Sequence, residues 1–266
     1  MLKHTFIHIQ GIGEKTEQYI WRKGIYSWEQ FLEAQEPLFS QKRDTFIRKE
    51  LEESFKHLDD IGFFHRRFSS SDMWRLFSTF KHKVAYLDIE TSGGYMGVDD
   101  ITVIGIYDGK SVRSFVNGIN LQEFEVAIPE YELLVTFNGA SFDLPFIRRY
   151  FPGISLPKAH IDLRFLLRKL GYRGSLKKIE KEFGLKRASD IEGMDGFDAV
   201  KLWRAYQWGD HSSLDLLLHY NTADIVNLEP LMEKGFELMK KRLLSKKVFA
   251  VGPKKTGNAP EAISGY

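Results

Sequence analysis

The chain has 266 residues, enough for one sizeable core plus a smaller appended region, and its 38 basic residues nearly cancel 36 acidic ones. Its 43% hydrophobic and 28% charged content is that of an ordinary globular protein, and the absence of cysteine excludes disulfides, zinc-thiolate sites and cysteine nucleophiles. The short, Gly-interrupted apolar start and the lack of any run of ~18 apolar residues argue against a signal peptide and a membrane span, so a cytoplasmic location is expected.

In residues 7–32, Gly11-Ile12-Gly13 directly precedes a helix start, with Ile9, Ile20, Trp21, Trp28 and Phe31 among the expected core. This segment resembles the helix-hairpin-helix module, whose Gly-hydrophobic-Gly hairpin offers backbone N–H groups to phosphate at a helix N-terminus. Glycine suits the turn because it permits positive φ and close backbone approach. The resemblance makes Gly11, Gly13 and Lys15 candidate nucleic-acid contacts. Gln10 stands where the module usually has Pro, and few residues precede the hairpin to form its first helix. A purely structural turn is the alternative. Next, Phe46, Ile47, Leu51, Phe55 and Leu58 recur at helical spacing over 41–58. Ser70-Ser71-Asp72 reads as an N-cap for a short helix through Trp74 and Phe77. Phe63, Phe64 and Trp74 would pack onto the domain C-terminal to them or stack bases.

Near residue 83 the pattern turns from helical to extended. The spacing predicts strands at 84–90, 101–109, 111–116 and 132–138, with Asp108-Gly109 as a hairpin turn and a short fifth strand at 159–163. A helix is expected over 143–150. After Leu163 the chain reads as mainly helical. Antiparallel strands followed by alternating α and β units imply an α/β domain with a mixed five-stranded sheet flanked by helices, beside a small all-α N-terminal region. The expected division is a hairpin-like module at 1–35, a helical connector at 36–83, the main domain at 84–245 and a basic, mobile tail at 246–266.

Asp88 and Glu90 stand two apart at the end of the first strand, so both side chains share one face. Two carboxylates together on an apolar strand repel and lose solvation. A divalent cation resolves that conflict, and hard oxygen donors select Mg²⁺ or Mn²⁺. A strand end reaching solvent is the bland alternative. Asp143 opens the helix that follows Asn138-Gly139, where acidic residues are also favoured for purely structural reasons. Within 216–231, Tyr220 and Asp224 are four apart and share a helical face, whereas His219 is turned aside. Such a pair also occurs on ordinary amphipathic helices.

Together, Asp88-Ile89-Glu90-Thr91, Asn138-Gly139-x-x-Phe142-Asp143 and Tyr220-x-x-x-Asp224 resemble the DEDD superfamily of proofreading-type 3′→5′ exonucleases, which have the RNase H-like fold. The resemblance spans about residues 84–240. Within it the chain is similar to a bacterial and archaeal group of RNase H-like exonucleases carrying a basic segment such as Asp162 to Gly171. The third motif satisfies both His-x-x-x-x-Asp and Tyr-x-x-x-Asp spacing; Tyr220 is favoured over His219.

The resemblance implies a metal-dependent exonuclease with Asp88, Glu90, Asp143 and Asp224 as ligands of two divalent cations, Mg²⁺ or Mn²⁺, held ~3.5–4 Å apart. Asp88 would bridge them and Tyr220 would orient the attacking water as a hydrogen-bond partner, since a phenol titrates near ~10. The partner would be single-stranded nucleic acid, DNA or RNA. Between Leu163 and Arg187 there are nine Lys/Arg against two Glu. Arg164, Arg168, Lys169, Arg173, Lys177 and Lys178 would grip phosphates, with Asn138 beside them, unless they form a solvated, acid-balanced face. A non-catalytic binding module and an RNase H-like endonuclease are the rival functions.

Overall fold

The protein is described by a computed structural model that covers residues 1–93 and 95–248. The expected tail therefore falls outside the described residues from 249 onward, and 246–248 still belong to the last helix. The helices are α1 (Glu14–Arg22), α2 (Trp28–Glu33), α3 (Gln41–Lys56), α4 (Ile61–His65), α5 (Phe77–Phe80), α6 (Phe124–Ala127), α7 (Asp143–Tyr150), α8 (Leu163–Leu170), α9 (Leu176–Glu182), α10 (Gly196–Gln207) and α11 (His211–Val248). The strands are β1 (Val84–Thr91), β2 (Ile101–Tyr107), β3 (Val112–Val116), β4 (Leu133–Thr136) and β5 (Ala159–Asp162).

They form one five-stranded mixed sheet in the order β3-β2-β1-β4-β5. β2 pairs antiparallel with both β1 and β3, while β4 runs parallel to β1 and β5. The Asp108 carboxylate closes the β2–β3 hairpin by accepting the N–H groups of Lys110 and Ser111, each at 2.8 Å. Strand alternation divides the sheet's two faces. Ala85, Leu87 and Ile89 point into a core with α6 and α7. Val84 and Tyr86 point the other way, into a core shared with α8 and α11. Asp88 and Glu90 continue that second row, so the pleat aims both toward α11.

The N-terminal helices belong to the same core. Trp74 and Phe77 lay their rings against Phe236 of α11, with centroids 5.8 and 5.7 Å apart. A fully buried Arg75–Glu17 pair at 3.0 Å, completed by the Thr5 hydroxyl, ties α1 to the turn before α5. Phe63, Phe64 and Trp74 are all buried, which removes them as base-stacking surfaces.

Two local expectations change. In α3 the inward stripe runs Asp44, Ile47, Leu51 and Ser54, leaving Phe46 41% exposed. Asp44 takes the inward place because its carboxylate accepts the N–H groups of Leu38 and Phe39. Second, Ser69 rather than Ser70 precedes a 3₁₀ turn at Ser70–Leu76, and its hydroxyl bonds the Asp72 carboxylate instead of a backbone N–H. At the N-terminus, Gly11 adopts φ +81° and Gly13 caps α1. Ahead of them the described residues hold a 3₁₀ turn at Leu2–His4 and no α-helix.

Candidate functional site

Helix α11 crosses the sheet face that carries Asp88 and Glu90 and supplies Tyr220, Asn221 and Asp224. The i, i+4 spacing puts Tyr220 and Asp224 on the inward side together. Asp143 arrives from the far side as the first residue of α7, where the chain turns sharply after β4. Asp88, Glu90, Asp143, Tyr220 and Asp224 line one cleft of about 730 Å³.

Carboxylate oxygens of Asp88, Glu90 and Asp224 lie within 4.8 Å of one another. Asp143 stands beside this trio rather than within it, and its Oδ1 accepts the Ile89 N–H at 3.2 Å. Glu90, Asp143 and Asp224 are buried. Burial, and then the neighbouring Asp143 and Asp224 charges, push the Asp88 carboxyl well above the usual carboxylate range. Burial and the Asp224 charge do the same to Glu90. Asp143 is pushed up to about 7 by burial, against the backbone N–H groups that favour its ionised form. Burial also raises Asp224, opposed by Arg187. Crowded, dehydrated carboxylates of this kind hold protons unless positive charge joins them. The donor set is all hard oxygen and suits a divalent cation such as Mg²⁺ or Mn²⁺.

Three side chains that sequence reasoning did not place in this role complete the surroundings. The Arg187 side chain is buried, bonds Asp224, and makes a two-pronged contact to Glu180 at 2.7 and 2.8 Å. Lys177, one of the cations expected to grip phosphate, donates to the Tyr220 hydroxyl and lies 4.4 Å from its ring centroid. Asn221 donates to the Asp88 carboxylate at 3.2 Å. One signal for Asn221 was available. A lone glycine inside the apolar β2 run, Gly105, marks a place where another group approaches the strand closely. Nothing in a run of nine cations singles out Arg187.

Tyr220 is buried against the trio, and burial followed by the Asp224 charge raises its phenol further, so it stays protonated. His219 faces away and bonds the Asp190 carboxylate at 2.9 Å on the surface. Asn138 lines the cleft with a positive φ of 68°, and its Oδ1 accepts Arg164 at 2.6 Å. Asp162 secures this corner by accepting the N–H groups of Asn138 at 2.9 Å, Ala140 at 3.1 Å and Arg164 at 3.0 Å. Arg168 and Lys169 extend from Arg164 along α8, outside the cleft. Gly11 and Gly13 line a different groove together with Arg66 and Arg67, and Lys15 is exposed on the first turn of α1.

Residues 85–235 match the RNase_H superfamily, and the chain belongs to it. No curated protein is significantly similar in sequence. Among solved structures, the family B DNA polymerase of the hyperthermophilic archaeon Pyrobaculum calidifontis is 17% identical, with a TM-score of 0.48 over 63% of this chain and 26% of the polymerase. Escherichia coli RNase D, an exoribonuclease involved in structured RNA processing, is 16% identical, with a TM-score of 0.42 over 66% of this chain and 48% of its own. Brucella melitensis NrnC is 18% identical, with a TM-score of 0.41 over 69% of this chain and 94% of its own. The chain thus spans about a quarter of the polymerase and about half of RNase D. No helix among the described residues is long and apolar enough to cross a membrane.

Proposed function

We propose that this protein is a metal-dependent 3′→5′ exonuclease of the Tyr branch of the DEDD superfamily, acting on single-stranded DNA or RNA. The observation that carries the reading is the convergence of Asp88, Glu90 and Asp224 within 4.8 Å, with Asp143 and Tyr220 in the same cleft. Asp88, Glu90 and Asp224 would hold divalent cations, and Asp143 would contribute through the carboxylate oxygen that Ile89 leaves free. When bound, such ions polarise a water and offset the charge of a phosphodiester under attack.

The chain's own groups have distinct tasks. Lys177 donates to the Tyr220 oxygen, so the phenol's own proton is left to bond a water or phosphate oxygen in the cleft. Burial keeps that phenol neutral, which suits orientation rather than proton abstraction. Arg187 fixes Asp224, and Asn221 fixes Asp88, so the ligand oxygens are positioned before substrate arrives. Gly11, Gly13 and Lys15 offer a separate phosphate contact at the start of α1.

The test is incubation of the protein with Mg²⁺ or Mn²⁺ and 5′-labelled single-stranded DNA and RNA, with Asp88→Asn as control. A metal-dependent ladder shortening from the 3′ end, absent in the variant, is the expected result. Binding without cleavage under every metal condition would leave a non-catalytic binding module. Internal cuts would identify an endonuclease.

A further inference from the structure

Helix α8 presents Arg164, Phe165, Arg168 and Lys169 to solvent, and Arg173 comes just beyond its Gly171 cap. Elsewhere surface cations commonly sit beside acids, as Lys3 does with Glu29, Arg113 with Glu130 and Lys201 with Asp198. Along α8 no cation has a carboxylate partner among the described residues. Arg164 bonds the neutral side-chain carbonyl of Asn138, and Lys169 bonds the backbone carbonyl of Ser71. Arg168 and Arg173 point into a groove of about 630 Å³ whose lining includes one carboxylate, Asp162. That carboxylate is already committed to three backbone N–H groups. Phe165 is 48% exposed in the same groove, against a wall formed by Trp74 and the Ser70–Ser71 turn.

The turn after β4 links the groove to the carboxylate cleft. Asn138 lines the cleft and holds Arg164, while Ala140, two residues on, lines the groove. A cationic row without acid partners, beside an exposed ring, asks for a ligand that is anionic at regular intervals and offers flat apolar faces between the charges. A single nucleic acid strand has both properties, whereas a duplex hides its base faces within the stack.

We propose that the α8 groove is the track for the strand on the 5′ side of the bond being cut, with a base stacked on Phe165 and phosphates on Arg168 and Arg173. This rests on the nuclease reading of the cleft, and it makes the substrate a strand several nucleotides long rather than a dinucleotide.

The experiment is fluorescence anisotropy in EDTA, where no cleavage occurs, with a labelled oligodeoxyuridylate dodecamer, an oligouridylate dodecamer, a dinucleotide and a duplex dodecamer. The wild type binds a single-stranded dodecamer more tightly than the dinucleotide or the duplex, and the tighter of the two dodecamers identifies the preferred sugar. Phe165→Ala weakens dodecamer binding roughly 5- to 150-fold. Arg168→Ala/Arg173→Ala flattens the slope of log affinity against log salt by about 1.4, at ~0.7 per phosphate contact. Circular dichroism confirms that these exposed substitutions leave the fold intact. Unchanged dodecamer affinity and salt slope in the variants would overturn the proposal, and so would tighter binding of the duplex. Cleavage with Mg²⁺ is scored separately. A wild type that binds along α8 but never cleaves defeats the nuclease reading alone, and one that cleaves with the variants unaltered defeats the track alone.

Discussion

Gly105 offers the sharpest check on how the site is held together. It faces Asp88 in the β1–β2 register, and a Cβ placed there would lie 2.1 Å from Asn221 Oδ1 and 3.1 Å from Ile225 Cδ1. Asn221 cannot simply swing away, because it is fully buried and its Nδ2 donates to the Asp88 carboxylate at 3.2 Å. Gly105→Ala should therefore carry an overpacking cost of ~1–3 kcal/mol. Breaking the hydrogen bond to Asp88, protonated without a cation, adds about 0.5–1.5 kcal/mol. At roughly 2–4 °C per kcal/mol for a chain of this size, Tm should fall by about 3–18 °C. Thermal melting in EDTA reads this directly. Asn221→Ala loses the bond without the clash, so Gly105→Ala/Asn221→Ala should melt close to Asn221→Ala alone. A Gly105→Ala protein that melts within about 2 °C of wild type would refute the clash, and a double variant that loses the sum of the two single losses would refute the coupling.

Arg187→Met removes the counter-charge from buried Glu180 and Asp224 and should cost about 3–5 kcal/mol, read as a lower Tm that Mn²⁺ partly restores. A melting curve insensitive to the substitution would contradict the ion pairing. Tyr220→Phe should lower kcat about 10- to 100-fold on a labelled strand, consistent with loss of a positioned hydrogen-bond donor, while His219→Ala, facing Asp190 on the surface, should cleave as wild type does. The reverse pattern would move the role to His219. Burial lowers the pKa of His8 to about 3 from 6.5, so the unfolded chain binds a proton that the folded one refuses. The folded state keeps this contribution above about pH 6.5 and loses ~1.4 kcal/mol per pH unit as pH falls toward about 3. His8→Phe should flatten that part of a stability–pH curve from urea melts, and an unchanged slope would show that His8 does not set it.

The parts of the fold and site that depend on local repetition were legible in the sequence. Strand alternation puts Asp88 and Glu90 on one face, and helical spacing pairs Tyr220 with Asp224, whatever the rest of the chain does. The α7 boundaries at Asp143–Tyr150 agree with the sequence expectation for the same reason. The features that escaped depend on convergence. Arg187 matters because Glu180 and Asp224 meet it from two helices, and Lys177 because α9 brings it over Tyr220. Both were submerged in a charge run that reads equally well as a phosphate grip. Phe46 misled because the inward place in α3 belongs to Asp44, a polar residue that serves the backbone before the helix. The sharing of one core between the N-terminal helices and α11 likewise depends on rings far apart in sequence.

Asp162 has a consequence for how the protein would handle a long polymer. By holding the turn at Asn138 and Ala140 together with the start of α8, one carboxylate fixes the interval between the carboxylate cleft and the cationic ridge. That interval is set when the chain folds, like a stop on a workbench, and does not have to be found anew for each substrate. If the cleft cuts as proposed, a strand drawn along such a stop would meet it at the same offset each time its end recedes, so uniform steps would come from a fixed ruler in the fold rather than from any reading of the bases.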